Sequence, residues 1–353
     1  MKSETPKYYD NAATTPVDPR VLQKMLPYFT VFFGNSSSNH SFGKEAKRAI
    51  DDARKHVAAI INSDPNEIYF TSGATESINW ALKGYLEENP DKGNHIITVK
   101  TEHKAVLNTC EYLENKGFEV TYLDVDHNGL IDHDQLRSEI RETTALISVM
   151  YVNNEIGIIQ DIAKIGEIAQ EKNVVFFCDA TQAIGKIHVD VFKDKIDMLC
   201  LSGHKVNGPK GIGALYIKDG ILLTPLIHGG AQEKGLRSGT YNTPLIVGLG
   251  KACEIAHTEY ELRLKKTLYK RSEVFEVLKN EELVENFKEA WKVPNILSFT
   301  VTKGDADEFL IKNSKKFVAS VGSACLSNII EISHVVKCVF PEELQNKIVR
   351  ISI

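Results

Sequence analysis

The chain has 353 residues, 42% hydrophobic and 25% charged, with a formal net charge of −5. That length suits two domains, and the slight acidity gives no reason to expect nucleic acid as a partner. No apolar run is long enough for a membrane span, and the N-terminal Met-Lys-Ser-Glu-Thr-Pro has no apolar signal region. The six cysteines (110, 178, 200, 253, 325 and 338) show neither CxxC pairs nor zinc-ligand spacing. Reduced thiols in a cytoplasmic protein without a metal are therefore expected.

In chain order, strand-like apolar runs at 67–71, 95–100, 119–125, 145–152, 174–178, 197–201 and 213–217 alternate with helical patterns. The helical patterns fall at 44–62, 75–88, 104–116, 134–141 and 161–172. That alternation predicts an α/β fold with a largely parallel sheet covered on both faces. From Pro244 to about Asn280 the pattern reads as one long helix. Strands near 296–302 and 317–321 then suggest a small α/β domain.

Chemistry gathers at three strand ends. Met198-Leu199-Cys200-Leu201 runs into Ser202-Gly203-His204-Lys205, followed by Gly208, Pro209 and Gly211. A lysine presented there can be desolvated and can form a Schiff base, which is how proteins hold pyridoxal phosphate (PLP). One strand earlier, Val174-Val175-Phe176-Phe177-Cys178 leads directly to Asp179. A carboxylate at the carboxyl end of a buried strand faces the ligand crevice of an open α/β sheet. It is the group needed to keep the PLP ring nitrogen protonated, and Gln182, three residues on, can reach the ring hydroxyl. Ile68-Tyr69-Phe70-Thr71 followed by Ser72-Gly73-Ala74-Thr75-Glu76 has the form of a glycine turn feeding a helix N-terminus, a site for phosphate. Alone, Lys205 reads as an ordinary turn lysine; together the three segments describe a PLP site.

These segments belong to a longer series. Asp-Asn-Ala-Ala-Thr-Thr-Pro (10–16), Thr-Ser-Gly-Ala-Thr-Glu-Ser (71–77), Thr-Glu-His-Lys-Ala-Val (101–106) and Val-Asn-Asn-Glu-Ile-Gly (152–157) are followed by Asp-Ala-Thr-Gln (179–182) and Ser-Gly-His-Lys (202–205). Arg-Ser-Gly-Thr (237–240) and Gly-Ser-Ala-Cys (322–325) complete it. The series resembles cysteine desulfurases of the NifS/IscS type, from Tyr8 to Arg350. The resemblance implies a fold-type I PLP-dependent transferase: a large domain over 17–243 with a seven-stranded, mainly parallel sheet, an interdomain helix over 244–280, and a small domain over 281–353 with 1–16.

The resemblance also implies roles. Lys205 carries PLP and moves protons, His103 stacks on the ring and relays protons, and Asp179 and Gln182 bind the ring. Ala74, Thr75, Ser202 and His204 bind the phosphate, helped by Thr240 from a partner subunit, so a homodimer is expected. Arg350, with Asn154 and Asn11, holds the carboxylate of L-cysteine, because a guanidinium grips a carboxylate at two points. Cys325 takes the substrate sulfur as a persulfide, leaving L-alanine, and passes it to an acceptor such as an iron–sulfur scaffold or a thiolation protein.

Two features depart from the family. Relatives read Thr-Ser after the cysteine, where this chain has Leu326-Ser327-Asn328. Relatives also continue beyond the position of Ile353, so a small domain shortened at its C-terminus and a weakened or relocated scaffold contact are expected. Two other readings stay open: a related fold-type I PLP lyase or aminotransferase, which needs no thiol, and a non-catalytic sulfur-relay subunit.

Overall fold

The computed structural model describes residues 5–321, 323, 324 and 331–353. Seven strands form the central sheet: β1 (Ile68–Thr71), β2 (His95–Val99), β3 (Glu119–Leu123), β4 (Thr144–Ser148), β5 (Val175–Asp179), β6 (Met198–Ser202) and β7 (Gly213–Ile217). Their spatial order is β1-β7-β6-β5-β4-β2-β3. Every pairing is parallel except those of β7, which runs antiparallel to both β1 and β6. The runs in β5 and β6 are almost unbroken apolar because helices cover both faces, so neither side of those strands meets water.

On one face, α1 (Ser41–Ile60) turns Ala46, Ile50, Ala53 and Val57 inward at three- and four-residue spacing. It packs on α5 (Thr243–Thr258) at close range: a Cβ on Gly250 would lie 2.5 Å from the Ala53 Cα. On the other face, α2 (Ala74–Asn79) continues through a π-helical turn at Trp80–Gly84 into Tyr85–Glu88. The widened turn lets Trp80 donate Nε1–H to the Thr224 carbonyl at 3.0 Å while its ring stays buried. Helix α3 (Lys104–Glu114) lies on the same face as α2, and α4 (Ile162–Glu171) packs Ile162, Ile165 and Ile168 into the core that α1 also joins.

The long helix predicted over 244–280 is two helices, α5 and α6 (Tyr260–Leu278), broken at Glu259 with φ −106° and ψ 20°. The halves have different tasks. α5 is buried nearly all round, with Ile246, Leu249, Cys253 and Ala256 in the core, whereas α6 buries only Val274 and Leu278. The Glu259 carboxylate at the break is held by Arg20 at 2.5 Å.

A second sheet comprises β8 (Leu283–Glu285), β9 (Ile296–Val301), β10 (Ser320–Val321) and β11 (Ile348–Ser352), antiparallel throughout in the order β10-β11-β9-β8. Leu297, Phe299, Val349 and Ile351 from it pack with Val274, Leu278 and Phe309. The N-terminal segment pairs Lys7–Tyr8 in parallel with Phe317–Val318, then crosses to the central sheet, where the Thr15 amide donates to the His204 carbonyl at 2.9 Å. No helix among the described residues is long and apolar enough to cross a membrane.

Candidate active site

The ends of β5 and β6 and the turn after β1 open on one cavity of about 680 Å³. Lys205 enters it from a single 3₁₀ turn, Gly203–Lys205, that follows β6 directly. The turn is tight enough that a Cβ on Gly203 would lie 2.8 Å from the Pro209 carbonyl oxygen. Lys205 donates Nζ–H to the carbonyls of Ala12 (2.5 Å) and Ala13 (2.7 Å). Burial, then the nearby Arg350 charge, pushes its pKa down to about 8, against the opposing pull of Asp179 and Asp10. An amine in that state is far more often neutral, and so nucleophilic, than a surface lysine.

Asp179 closes β5 and is 4% exposed. Its Oδ1 accepts from the Thr181 amide at 2.9 Å and from Cys200 Sγ at 3.3 Å. Those two bonds fix the carboxylate plane and leave Oδ2 for a donor in the cavity. Gln182 donates Nε2–H to the Ala12 carbonyl at 2.9 Å, while its Oε1 is buried with no partner. A buried acceptor without a donor is costly, so this atom marks where a hydroxyl belongs.

Beside β1, Ser72, Gly73, Ala74 and Thr75 lead into the N-terminus of α2 and line the same cavity. Glu76 braces this turn: its Oε2 accepts from the Ser72 amide at 2.7 Å, and Arg237 grips it through Nε and Nη2 at 2.8 and 3.1 Å. Burial raises the Glu76 pKa, but the Arg237 and Ser72 hydrogen bonds outweigh it and hold the carboxyl below its ordinary value. His204 takes the Thr14 hydroxyl at 3.1 Å. Burial, then Lys205, Lys210 and Lys186, pushes His204 down to about 4, so it is neutral at physiological pH.

His103 caps α3, with Nδ1 accepting the Ala105 amide at 3.1 Å. The neutral ring therefore carries its proton on Nε2. Its exposed face borders the cavity, and the protein around it lowers its pKa, first by burial and then by Lys205, with Asp179 opposing. Arg350 projects from β11 and donates Nη1–H to the Asn154 carbonyl at 3.0 Å and Nη2–H to Asp10 Oδ1 at 2.7 Å. Its Nε is buried without a partner. His103, Asn154 and Arg350 also line an adjoining cavity of about 620 Å³ with His334 and Lys337.

One cavity thus gathers Ala74, Thr75, His103, Asn154, Asp179, Gln182, Ser202, His204, Lys205 and Arg350. Asn11 lies elsewhere: its amide is tied to the Ser352 carbonyl at 3.1 Å, and it lines a smaller pocket behind Lys205. Thr240 is exposed and does not line the cavity of its own chain. Cys325 lies outside the described residues.

Sequence reasoning missed the Ala12 and Ala13 carbonyls that grip Lys205, and the Glu76–Arg237 brace. It also missed Glu102, fully buried next to His103, whose Oε1 accepts the Met150 amide at 2.5 Å. Burial, then Asp179, raises the Glu102 pKa well above the ordinary value, against the Met150 and His103 amides that favour the charged form. The signal for these lay in motif membership: Asp-Asn-Ala-Ala, Thr-Ser-Gly-Ala-Thr-Glu-Ser, Thr-Glu-His and Arg-Ser-Gly-Thr contain them.

The sequence profile of class-V aminotransferases matches residues 7–353. Cysteine desulfurase IscS of Methanosarcina thermophila is 50% identical over 349 residues, covering 98% of this chain and 86% of that protein. Among solved structures, a NifS-like protein superposes with a TM-score of 0.92 at 38% identity, over 99% of this chain and 94% of the other. SspA in complex with cysteine gives 0.88 at 41% identity, over 98% of each. PLP is the cofactor of this family, and the cavity fits it. The unpartnered Gln182 Oε1 would meet the ring hydroxyl, Asp179 Oδ2 the ring N–H, the turn at 72–75 the phosphate, and the Lys205 amine, its pKa lowered to about 8, the aldehyde. The chain belongs to the class-V aminotransferase family, among its cysteine desulfurases.

Proposed function

We propose that the protein converts L-cysteine to L-alanine and hands the sulfur, through a persulfide on Cys325, to a protein acceptor in iron–sulfur cluster assembly or another thiolation pathway. The observation that carries this reading is the convergence of Lys205, Asp179, His103 and Arg350 on one cavity. Bound PLP supplies an electron sink for the substrate carbons; the chain supplies everything else.

Arg350 and the Asn154 backbone mark the carboxylate end of the substrate site. Nη2 is held by Asp10 and Nη1 by Asn154, so the guanidinium stands in a fixed plane before substrate arrives. Lys205 Nζ, near neutrality in its pKa, is suited to take and return the proton at the substrate Cα. His103 Nε2–H, on the rim shared by the two cavities, is placed to exchange a proton with the substrate thiol. At Cys325 an S–S bond forms as the substrate Cβ–S bond breaks, and the returning proton completes alanine. The thiolate is the reacting form of that cysteine, so a proton acceptor near it matters.

A homodimer is part of the proposal. Thr240 is exposed three residues beyond Arg237, which braces the phosphate turn of its own chain. Leu26, Phe29, Val31, Phe33 and Phe42 are each 49–66% exposed within one N-terminal stretch, an apolar surface that a second subunit would cover. Free, buried Cys110, Cys178, Cys200 and Cys253 support a reducing, cytoplasmic setting.

The test is direct. Protein loaded with PLP should show a visible absorbance that Lys205→Ala abolishes, and should release alanine from L-cysteine. A protein that binds PLP but yields pyruvate or a keto acid from small amino acids instead would favour a lyase or aminotransferase.

A further inference from the structure

Just ahead of Arg237, the backbone passes through the left-handed region at three residues in a row: φ is 46° at Glu233, 58° at Lys234 and 85° at Gly235. Only the last of these is glycine. A side chain is disfavoured in that conformation and persists where its surroundings over-determine it. The turn therefore keeps a glutamate where a glycine would be less strained, and the carboxylate has a use.

That use is visible in its partner. The Glu233 side chain is 3% exposed, and Arg54 of α1 grips it at two points, Nη1 on Oε2 at 2.8 Å and Nη2 on Oε1 at 3.0 Å. The same guanidinium donates to the Ile68 carbonyl and lies over the Phe70 ring, 4.7 Å from its centre. Arg54 thus ties the strained turn to β1, the strand that delivers the phosphate turn at 72–75. A lysine would supply a point charge and neither the fork nor the flat face.

The segment beyond the pair is closed on itself. The Glu233 amide donates to the Tyr241 hydroxyl at 2.8 Å, and the Gly239 amide donates to Gln232 Oε1 at 3.0 Å. Arg237, inside this closed segment, holds Glu76, whose Oε2 accepts the Ser72 amide. A continuous set of contacts therefore runs from Arg54 through Glu233 and the turn to Arg237, Glu76 and Ser72. A buried ion pair is weak support for stability, since apolar residues of similar size often serve as well. Two-point geometry at a strained turn serves position instead.

We propose that Arg54 and Glu233 are positioning residues for the PLP phosphate: the pair fixes the turn at 233–235, and through it the way Arg237 and Glu76 hold the Ser72 amide. The proposal rests on PLP occupying this cavity, a reading that titration of the parent protein with PLP tests separately.

The experiment compares Arg54→Met, Glu233→Gln, Arg237→Met and the double variant Arg54→Met/Arg237→Met with the parent protein. PLP affinity is read from the visible absorbance as cofactor-free protein is titrated, and the phosphate environment from the phosphorus NMR resonance of bound PLP. Arg54→Met and Glu233→Gln should each weaken PLP binding at least about tenfold and shift or broaden that resonance, because the remaining member of a buried pair is left uncompensated. The double variant should bind PLP within about twofold of the weaker single variant, since both substitutions act through one turn. Affinity and resonance unchanged in Arg54→Met and Glu233→Gln, even with a lower unfolding temperature, would make the pair merely structural and overturn the proposal. A loss in the double variant equal to the product of the two single losses would also overturn it. If Arg54→Met fails to fold, Glu233→Gln and its combination with Arg237→Met decide between the same outcomes.

Discussion

Arg350, which lines both cavities, and Asp10, 340 residues away in the chain, are joined at 2.7 Å. Asp10 Oδ1 also accepts the Ser320 hydroxyl at 2.8 Å, so one carboxylate anchors both β11 and β10. Two residues further on, the Ala12 carbonyl holds Lys205. The N-terminal segment therefore sets the positions of Arg350 and Lys205 together.

Arg350→Ala should cost ~2–4 kcal/mol of substrate binding, about 30- to 700-fold in KM for cysteine, because a buried charge pair loses one member. The visible cofactor spectrum should stay unchanged. Steady-state kinetics and the absorption spectrum of the variant check both parts; a large loss of cofactor would assign Arg350 a different job.

The Lys205 amine gives a pH prediction. Its pKa of about 8 means that the neutral form grows as pH rises through 8 and is nearly complete by pH 9. The rate at which cofactor-free protein takes up PLP should follow that curve and level off above it. A lysine left at its ordinary value would still be accelerating at pH 10, which a stopped-flow pH series would reveal.

Asp179→Asn should reduce turnover by at least about 100-fold, since an uncharged partner no longer holds the ring proton. Cofactor binding should fall far less. The comparison to make is kcat against PLP affinity in the same variant.

Gly213→Ala tests the phosphate turn through packing alone. An added Cβ would lie 2.5 Å from the Leu201 carbonyl and 2.7 Å from the Gly73 Cα, forcing β7 away from the turn. A stability loss of ~1–3 kcal/mol and weaker PLP binding are expected, measurable by denaturant unfolding and by titration with PLP.

Much of this site was legible because its side chains sit where apolar runs end. β5 stops at Asp179 and β6 at Ser202, and both runs are unmistakable in the sequence. What stayed hidden is carried by backbone atoms or by direction. The Ala12 and Ala13 carbonyls grip Lys205, yet an alanine declares nothing about its carbonyl. The break at Glu259 separates a helix buried all round from one buried along a thin stripe, and an apolar count over 244–280 averages the two. Asn11 faces the pocket behind Lys205 because residues 10–13 turn as they cross, and the spacing in the sequence does not record that turn.

The central claim is sulfur transfer to Cys325, and a single turnover without reductant tests it most directly. PLP-loaded protein given L-cysteine should form one alanine per active site and gain one sulfur atom on the peptide that contains Cys325. Cys325→Ser should keep the cofactor colour and form neither product. Alanine released at the same rate by Cys325→Ser, or an added sulfur found on another cysteine, would contradict the account.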